Sequence, residues 1–409
     1  MRIGNTFLVR PKALGVGCTC STFSAVLLIA VPANADSGSE LTVSASTAYD
    51  SNPFLSFNDD PEVASFRLEL VPTVYQSDEV SSIRASARIE HVEYARLYDS
   101  VDNLALNLAV QRDLSERLNA GASLSVSSTV TTTDFNGPTI GFGEPEPSVP
   151  TSPIFDDVTL FADRQRRNLA AVDASVQFKL SEFDDLRWSS SVRAQRYNSA
   201  RLNDSDFAMQ RAEFSRRISE YVVLGGGVEA SVSNFKSTRV GDAKTLSPQV
   251  SARARIFPRV DFSGRLGVSI TRTQLVVGRE TSTSISGNAS LCHSGVLSNF
   301  CLNAARQVLP SAIGGVRKQS TIGTAYSLRL SERENVQLGG SYAVASAPLS
   351  GSGGKFESIR SYARYERQLD ERLRLFASAG YSNSSDDLEV RRSNFQGAVG
   401  ISVKIGRAK

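Results

Sequence analysis

The chain has 409 residues, 41% hydrophobic and 21% charged, with 45 basic residues against 42 acidic ones and a formal net charge of +3. That near-balance excludes the strongly basic surface expected of a nucleic-acid-binding protein, and no nucleic-acid partner is expected. With only 2 His and 4 Cys, the chain has no paired metal-ligand spacing, and neither a metal nor a cofactor is expected.

Residues 1–35 read as a cleaved signal peptide. Arg2, Arg10 and Lys12 form a basic start, a mostly apolar stretch runs from Ala13 to Val31, and Ala33-Asn34-Ala35 is a small-x-small cleavage site before Asp36. Cys18, Thr19, Cys20 and Ser21 interrupt the apolar run and argue against a retained anchor. Losing those three cations brings the basic residues level with the 42 acidic ones. Cys292 and Cys301 then remain, a C-x8-C pair in one predicted loop. In an exported, oxidised protein such a pair is expected to form a disulfide, since His293 alone is too little for a metal site.

From Asp36 onward the pattern is period-two alternation. Around Leu41 to Asp50, Leu41, Val43, Ala45 and Tyr49 share one face, and Thr42, Ser44 and Ser46 the other. Near Ala64 to Gln76, Phe66, Leu68, Leu70 and Val74 oppose Arg67 and Glu69; Ile83, Ala85, Ala87 and Ile89 then oppose Arg84 and Arg88. Runs around Leu104 to Val110, Leu118 to Val126, Val172 to Phe178 and Leu186 to Ala194 follow, then a weaker one at Phe207 to Ile218 and a clear one at Val222 to Val232. Val250 to Ile256 and Val260 to Ile270 complete eleven, and five more run through Ile322 to Leu330, Val336 to Val344, Ile359 to Tyr365, Leu373 to Tyr381 and Phe395 to Ile405. Sixteen segments are joined by connectors that alternate between tight turns and longer loops.

The turns begin at Ser115-Glu116, Ser181-Glu182, Ser219-Glu220, Ser331-Glu332 and Asp370-Glu371, whereas the loops at 51–63, 136–165, 237–245 and 278–315 are long. No helix-length apolar run occurs beyond residue 35. In a bilayer all backbone polar groups must be paired internally, so a chain of short amphipathic strands spans it only as a closed barrel. The expected fold is therefore all-β, a single 16-stranded antiparallel transmembrane β-barrel over 36–409 in the outer membrane. A soluble β-sandwich or β-helix would show similar segments but not the asymmetry of the connectors.

Aromatic residues support this reading. Tyr49, Phe66, Tyr342, Tyr381 and Phe395 fall on outward parity at long-loop ends, and Phe178, Trp188 and Phe262 at short-turn ends, like two interfacial girdles. Arg196 and Arg216, outward near strand ends, fit only at an interface, and His91 and Glu93 place their strand end above the membrane. Pro72 and Pro248 imply rim or bulge positions.

Function must then come from the inward face. Arg67, Arg84, Arg88, Arg187, Arg193, Arg211, Arg253, Arg255, Arg265, Arg329, Arg360, Arg364 and Arg374 lie there, with fewer acids, among them Glu69, Glu90, Glu213, Asp261 and Glu366. Guanidinium groups of this kind suit anionic solutes, and the competing reading is a cross-strand network that stiffens the wall.

The loop 136–165 carries Pro138, Pro145, Pro147, Pro150 and Pro153 with Glu144, Glu146, Asp156, Asp157 and Asp163. This layout resembles that of general diffusion porins, sixteen-stranded trimers whose third outer loop sets acids against a basic wall. The resemblance implies that Glu144, Glu146, Asp156 and Asp157 form a constriction facing Arg84 and Arg88; a solvated surface loop is the alternative. Separately, Ala48-Tyr49-Asp50-Ser51-Asn52-Pro53-Phe54 and the recurring Leu-Ser-Glu-Arg turns resemble uncharacterised β-barrel porins of Gram-negative bacteria, some associated with exopolysaccharide production. What that implies is passage of small solutes or saccharides, with outer-membrane lipid, the barrel-assembly machinery, polysaccharide-export components and further copies of the chain as partners. The ending Val403-Lys404-Ile405-Gly406-Arg407-Ala408-Lys409 departs from the terminal aromatic such barrels usually carry.

Two other classes stay open: a non-conducting scaffold or adhesin presenting its long loops, and a barrel-embedded hydrolase. The second is disfavoured because only His91 and His293 could serve as bases and no carboxylate partner is identifiable for a triad.

Overall fold

The computed structural model describes residues 36–55, 62–130, 164–199, 202–236, 241–275, 278–313, 315–349, 354–386 and 392–407. The expected signal segment, and Glu144, Glu146, Asp156 and Asp157, lie outside them. In chain order the strands are β1 (Asp36–Asp50), β2 (Val63–Ser77), β3 (Ser81–Tyr94), β4 (Val101–Ser115), β5 (Leu118–Val130) and β6 (Arg166–Lys179). Next come β7 (Asp184–Tyr197), β8 (Ser205–Arg217), β9 (Val222–Phe235), β10 (Ala243–Phe257), β11 (Val260–Leu275) and β12 (Gly278–Ser294). The last are β13 (Ser298–Ser311), β14 (Gly315–Ser331), β15 (Glu334–Ala345), β16 (Phe356–Gln368), β17 (Leu373–Asp386) and β18 (Arg392–Arg407). Each pairs antiparallel with its chain neighbours, and β18 closes onto β1 with Ala45 opposite Ile401. All eighteen form one ring without a free edge strand.

The barrel is all-β and closed as expected, but it has 18 strands rather than 16. The two additional strands are β12 and β13, which occupy the segment expected to be one long loop, 278–315. Their alternation is faint for a physical reason. Outward positions of β12 are Thr283, Ile285, Gly287, Ala289, Leu291 and His293, so few large apolar groups mark that face, and Ser282, Ser284, Ser286 and Ser290 occupy the other. The connectors at both outer ends of the pair are also as short as turns, which breaks the expected rhythm.

Outward parity carries the exposed apolar surface: Leu68, Leu104, Val172, Val250 at 63%, Leu266 and Val399 are all exposed. Tyr49, Phe66, Tyr342 and Phe395 stand exposed at the long-loop end, and Phe178 and Trp188 at the other.

The short turns share one device. Ser115, Ser181, Ser219 and Ser331 each accept, through Oγ, the amide two residues on, from Arg117 at 3.3 Å, Phe183 at 3.1 Å, Tyr221 at 3.3 Å and Arg333 at 3.3 Å, and Asp370 Oδ1 takes the Arg372 amide at 2.7 Å. This is how a short polar side chain imitates a backbone turn. Asp78 does the same between β2 and β3, accepting from the Val80 amide and from Ser81, which holds its carboxyl below the usual carboxylate range.

Pro72 and Pro248 lie inside their strands. Each stays in register with one neighbour, Leu41 and Val228 respectively, while the ladder to the other neighbour skips that position. A missing donor is thus accommodated on one side only.

On the inner wall, aromatic rings lie flat across glycines of the adjacent strand. Tyr362 covers Gly339 and Phe376 covers Gly400, closely enough that a Cβ at either glycine would overlap the ring. The arrangement keeps bulky side chains against the wall and out of the lumen. We expect Gly339→Val to turn the Tyr362 ring into the lumen, at a cost of about 1–3 kcal/mol for the overpacked site. A lower urea midpoint together with a reduced single-channel conductance would confirm it; an unchanged conductance would show that the ring does not border the pathway.

Candidate functional site

All thirteen arginines expected on the inward face share inward parity with their registered neighbours, but they do not form a uniform ring. One arc runs from β16 through the closure to β3 and carries Arg360, Arg364, Arg374, Arg67, Arg84 and Arg88. A second, from β6 to β11, carries Arg187, Arg193, Arg211, Arg253, Arg255 and Arg265, and Arg329 stands apart on β14. Between the arcs the wall is small and neutral, with Ala105, Ala109, Ser123 and Ser125 on β4 and β5 and Ser286, Asn288, Asn303 and Gly323 on β12 to β14. In a ring of 18 strands, β2 stands across from β11 and β17 across from β8. The charged arcs therefore face each other over the lumen.

Many of these cations are already paired. Glu69 and Glu90 sit directly opposite one another on β2 and β3. Arg67 Nε reaches Glu90 at 3.0 Å, while Arg88 reaches Glu69 at 3.0 Å and Glu90 at 3.5 Å. Asn103 Nδ2 donates to Glu90 at 2.9 Å. The cluster is electrically neutral, and its buried carboxylates make sense only with both guanidiniums present. Across the lumen, Glu213 accepts from Ser251 Oγ at 2.7 Å and Arg265 Nε at 3.2 Å, and Arg211 Nε donates to Glu229 at 3.0 Å. Arg255 pairs with Asp261 at 3.3 Å and Arg364 with Glu366 at 2.7 Å, the Arg364 guanidinium also lying 4.6 Å over the Phe376 ring. Arg84, Arg187, Arg193, Arg253 and Arg329 make no direct ion pair among the described residues. Their charges have no direct acidic partner to offset them among the described residues.

Several inward charges escaped the sequence reading. Glu40 and Lys404 pair at 2.7 Å where the first and last strands meet, a contact that only the ring closure reveals. Glu229 and Asp173 were legible by parity alone, lying between Val228 and Ala230 and between Val172 and Ala174, and Arg167 shares the inward parity of Asp173.

The long-loop end is partly covered. Asp50-Ser51-Asn52-Pro53-Phe54 turns inward and is fastened to β18: Asn394 Nδ2 donates to Asp50 at 3.0 Å, and its Oδ1 accepts the Asn52 amide at 2.8 Å. Phe54 is thereby buried with Val63, Val92, Tyr94 and Val101. Its ring lies 4.7 Å from Tyr98, edge-on, and Arg164 caps it at 5.0 Å. Leu55 follows with φ 48° and is 1% exposed. Elsewhere on the mouth, Asn203, in the β7–β8 connector, donates its amide to Ala312 O at 2.8 Å and its Nδ2 to the same oxygen at 3.1 Å. Leu202 packs with Tyr197 and Ala312 there, so one connector is strapped to another six strands away.

Cys292 and Cys301 are bonded, as expected, but not within a loop: they are a directly registered pair on β12 and β13, with Cα atoms 4.1 Å apart. The two histidines are at opposite ends, both outward. His91 Nδ1 lies 2.7 Å from Asp102 at the long-loop end, and His293 is next to the Ser294 turn. Arg196 is satisfied by Asp206 at 2.5 Å and by two backbone carbonyls, and Arg216 lies 3.8 Å from Asp184.

An apolar outer belt and a charged interior on one closed ring admit only lipid outside and water inside. The chain is a membrane-spanning β-barrel. Its sequence matches no family model and no curated protein. Among solved structures it is similar to OccK2 (OpdF) of Pseudomonas aeruginosa in complex with glucuronate, with TM-score 0.47, 9% identity and coverage of 91% of this chain and 99% of that one. OpdK of Pseudomonas aeruginosa with vanillate gives TM-score 0.47 and 11% identity over 91% and 99%. OccAB2 of Acinetobacter baumannii gives 0.45 and 8% over 91% and 98%. The exopolysaccharide association implied by the short motifs gains no support from these similarities.

Proposed function

We propose that the protein is an outer-membrane channel for passive passage of small anionic solutes. The observation that carries this reading is the set of inward arginines without an ion-pair partner among the described residues: Arg84, Arg187, Arg193 and Arg253 on two facing arcs, and Arg329 on β14 between them. Paired cations such as Arg67 and Arg88 hold the wall, and the unpaired ones set the potential inside it. Barrels of this strand number are wide enough for a water-filled path.

Replacing Arg84 and Arg253 with Glu tests it. Each exchange alters the local charge by two, worth about 1 kcal/mol on a monovalent ion about 8 Å away in water. Because that amount disfavours the anion and favours the cation, the anion-to-cation permeability ratio should fall by up to roughly thirtyfold per site, read as a shift in reversal potential across a potassium chloride gradient. Arg88→Glu, in contrast, would break a structural pair. A second reading, a scaffold that does not conduct, is favoured by the Phe54 cover and the Asn203–Ala312 strap; absence of current from reconstituted, folded barrel would decide for it.

A further inference from the structure

The seam between β12 and β13 is unlike the others. Its ladder runs only from Gly287 opposite Arg306 down to Ser294 opposite Asn299. Yet β12 stays paired with β11 up to Gly278, and β13 with β14 up to Ser311. Above Gly287 the two strands part, each still bound to its other neighbour, and the edges of Gly278–Ser286 and Gln307–Pro310 have no ladder partner facing the split among the described residues. Unpaired strand edges inside hydrocarbon are costly, so a split is tolerable where polar groups or water reach it.

The level of the split fits that condition. On β11 the outward apolar run of Leu266, Val268 and Ile270 ends at Arg272, and the β12 partner of Ile270 is Thr283. The last pair of the ladder, Gly287 with Arg306, lies at Leu266 on β11 and at Ser320, just above Ile322, on β14, so the opening begins within the apolar belt on one side and at its margin on the other and continues into the polar layer. Its lumenal side presents Ser284, Ser286 and Gln307, and its lipid side presents exposed Thr283 and Arg306. Arg306 has no ion-pair partner among the described residues. Above it the axial mouth is narrowed by the Phe54 cover and by the strap that fastens to Ala312 at the top of this same strand. Below it, the Cys292–Cys301 disulfide crosses the same two strands.

We infer that the β12–β13 seam is a lateral portal for anionic amphiphiles. The head enters between the strands toward the lumen, where Arg306, the serine hydroxyls and the unpaired backbone amides bind phosphate or carboxylate oxygens, while the chain remains in lipid beside Ile285. The Gly287–Arg306 pair is the lower limit of the opening, and the disulfide pins the same two strands five pairs below it. This rests on the water-filled lumen proposed above.

Ser284 and Leu309 would be a lumen-facing pair three steps above Gly287 and Arg306 if the register continued upward. In the purified full barrel, Ser284→Cys/Leu309→Cys should resist direct oxidation to a disulfide yet be joined by a flexible bis-maleimide; rapid, complete oxidation would show the seam closed and overturn the inference. Dodecyl phosphate carrying a diazirine in its chain, in phosphatidylcholine vesicles, should photolabel residues 279–286 and 306–309 above the rest of the belt. Stapling should bring that labelling down to the level of the belt. Even labelling around the barrel, or labelling unaffected by the staple, would also overturn the portal. Chloride conductance measured in parallel tests the channel reading separately: seam-specific labelling without current removes the channel and keeps the portal.

Discussion

Phe54→Ala should uncover the long-loop end of the lumen while leaving the barrel folded. The ring is 4% exposed, packed against Tyr94 and Tyr98 and capped by Arg164, and it lies outside every strand. Truncating a buried Phe to Ala costs about 3–5 kcal/mol. Because the strand ladders do not pass through residues 51–55, that cost falls on the inward-folded state of the segment rather than on the ring. Even the lower figure corresponds to more than about a hundredfold change in the population of the covered state. Amide hydrogen exchange at Asn52 and Phe54 should accelerate, and the mean conductance should rise, with an unchanged urea midpoint for the barrel. Asn394→Leu should act the same way by a different route. It keeps the bulk of the side chain but removes the donor to Asp50 and the acceptor for the Asn52 amide. If exchange accelerates in both variants but conductance does not move, the cover lies off the solute path.

This cover also shows what the sequence could and could not reveal. The run from Tyr49 to Phe54 stood out as a motif, yet its role depends on Asn394, which is brought beside it only when β18 closes onto β1. Inward and outward faces were legible because the side-chain period in a strand is two, so a few residues fix the parity of a whole segment. Strand number was less legible. Ile285 and Leu291 are the only large apolar side chains on the outward face of β12, and two apolar groups separated by glycine and alanine look like a loop. Charge pairing was not legible at all. Whether Glu69 meets Glu90, and thus whether Arg67 and Arg88 are spent on the wall, is a matter of register between β2 and β3 that a single strand's pattern does not contain. The cysteine pairing was readable from their spacing, whereas their place across a seam followed from finding β12 and β13.

Glu213→Gln should destabilise the barrel and sharpen its preference for anions at the same time. Glu213 is 5% exposed and accepts from Ser251 and Arg265. It lies opposite Arg187 in the ladder, and Arg211 and Arg253 add to the positive field around it. The amide of Gln retains the size and part of the hydrogen bonding but removes the charge that balances these cations. Leaving a charge-assisted bond half made costs about 1–3 kcal/mol, with the lumenal face of Arg265 keeping the loss below that of a fully dry pair. A lower urea midpoint and a reversal potential shifted toward that of chloride are both expected. Arg265→Met strands the carboxylate instead, and it should destabilise as much while shifting selectivity the other way. In the double variant neither partner is left alone, so the two stability losses should fall short of adding, by about 0.5–3 kcal/mol. Full additivity would mean that Glu213 and Arg265 act independently, and the arginines of this arc would then owe their placement to something other than the acid buried among them.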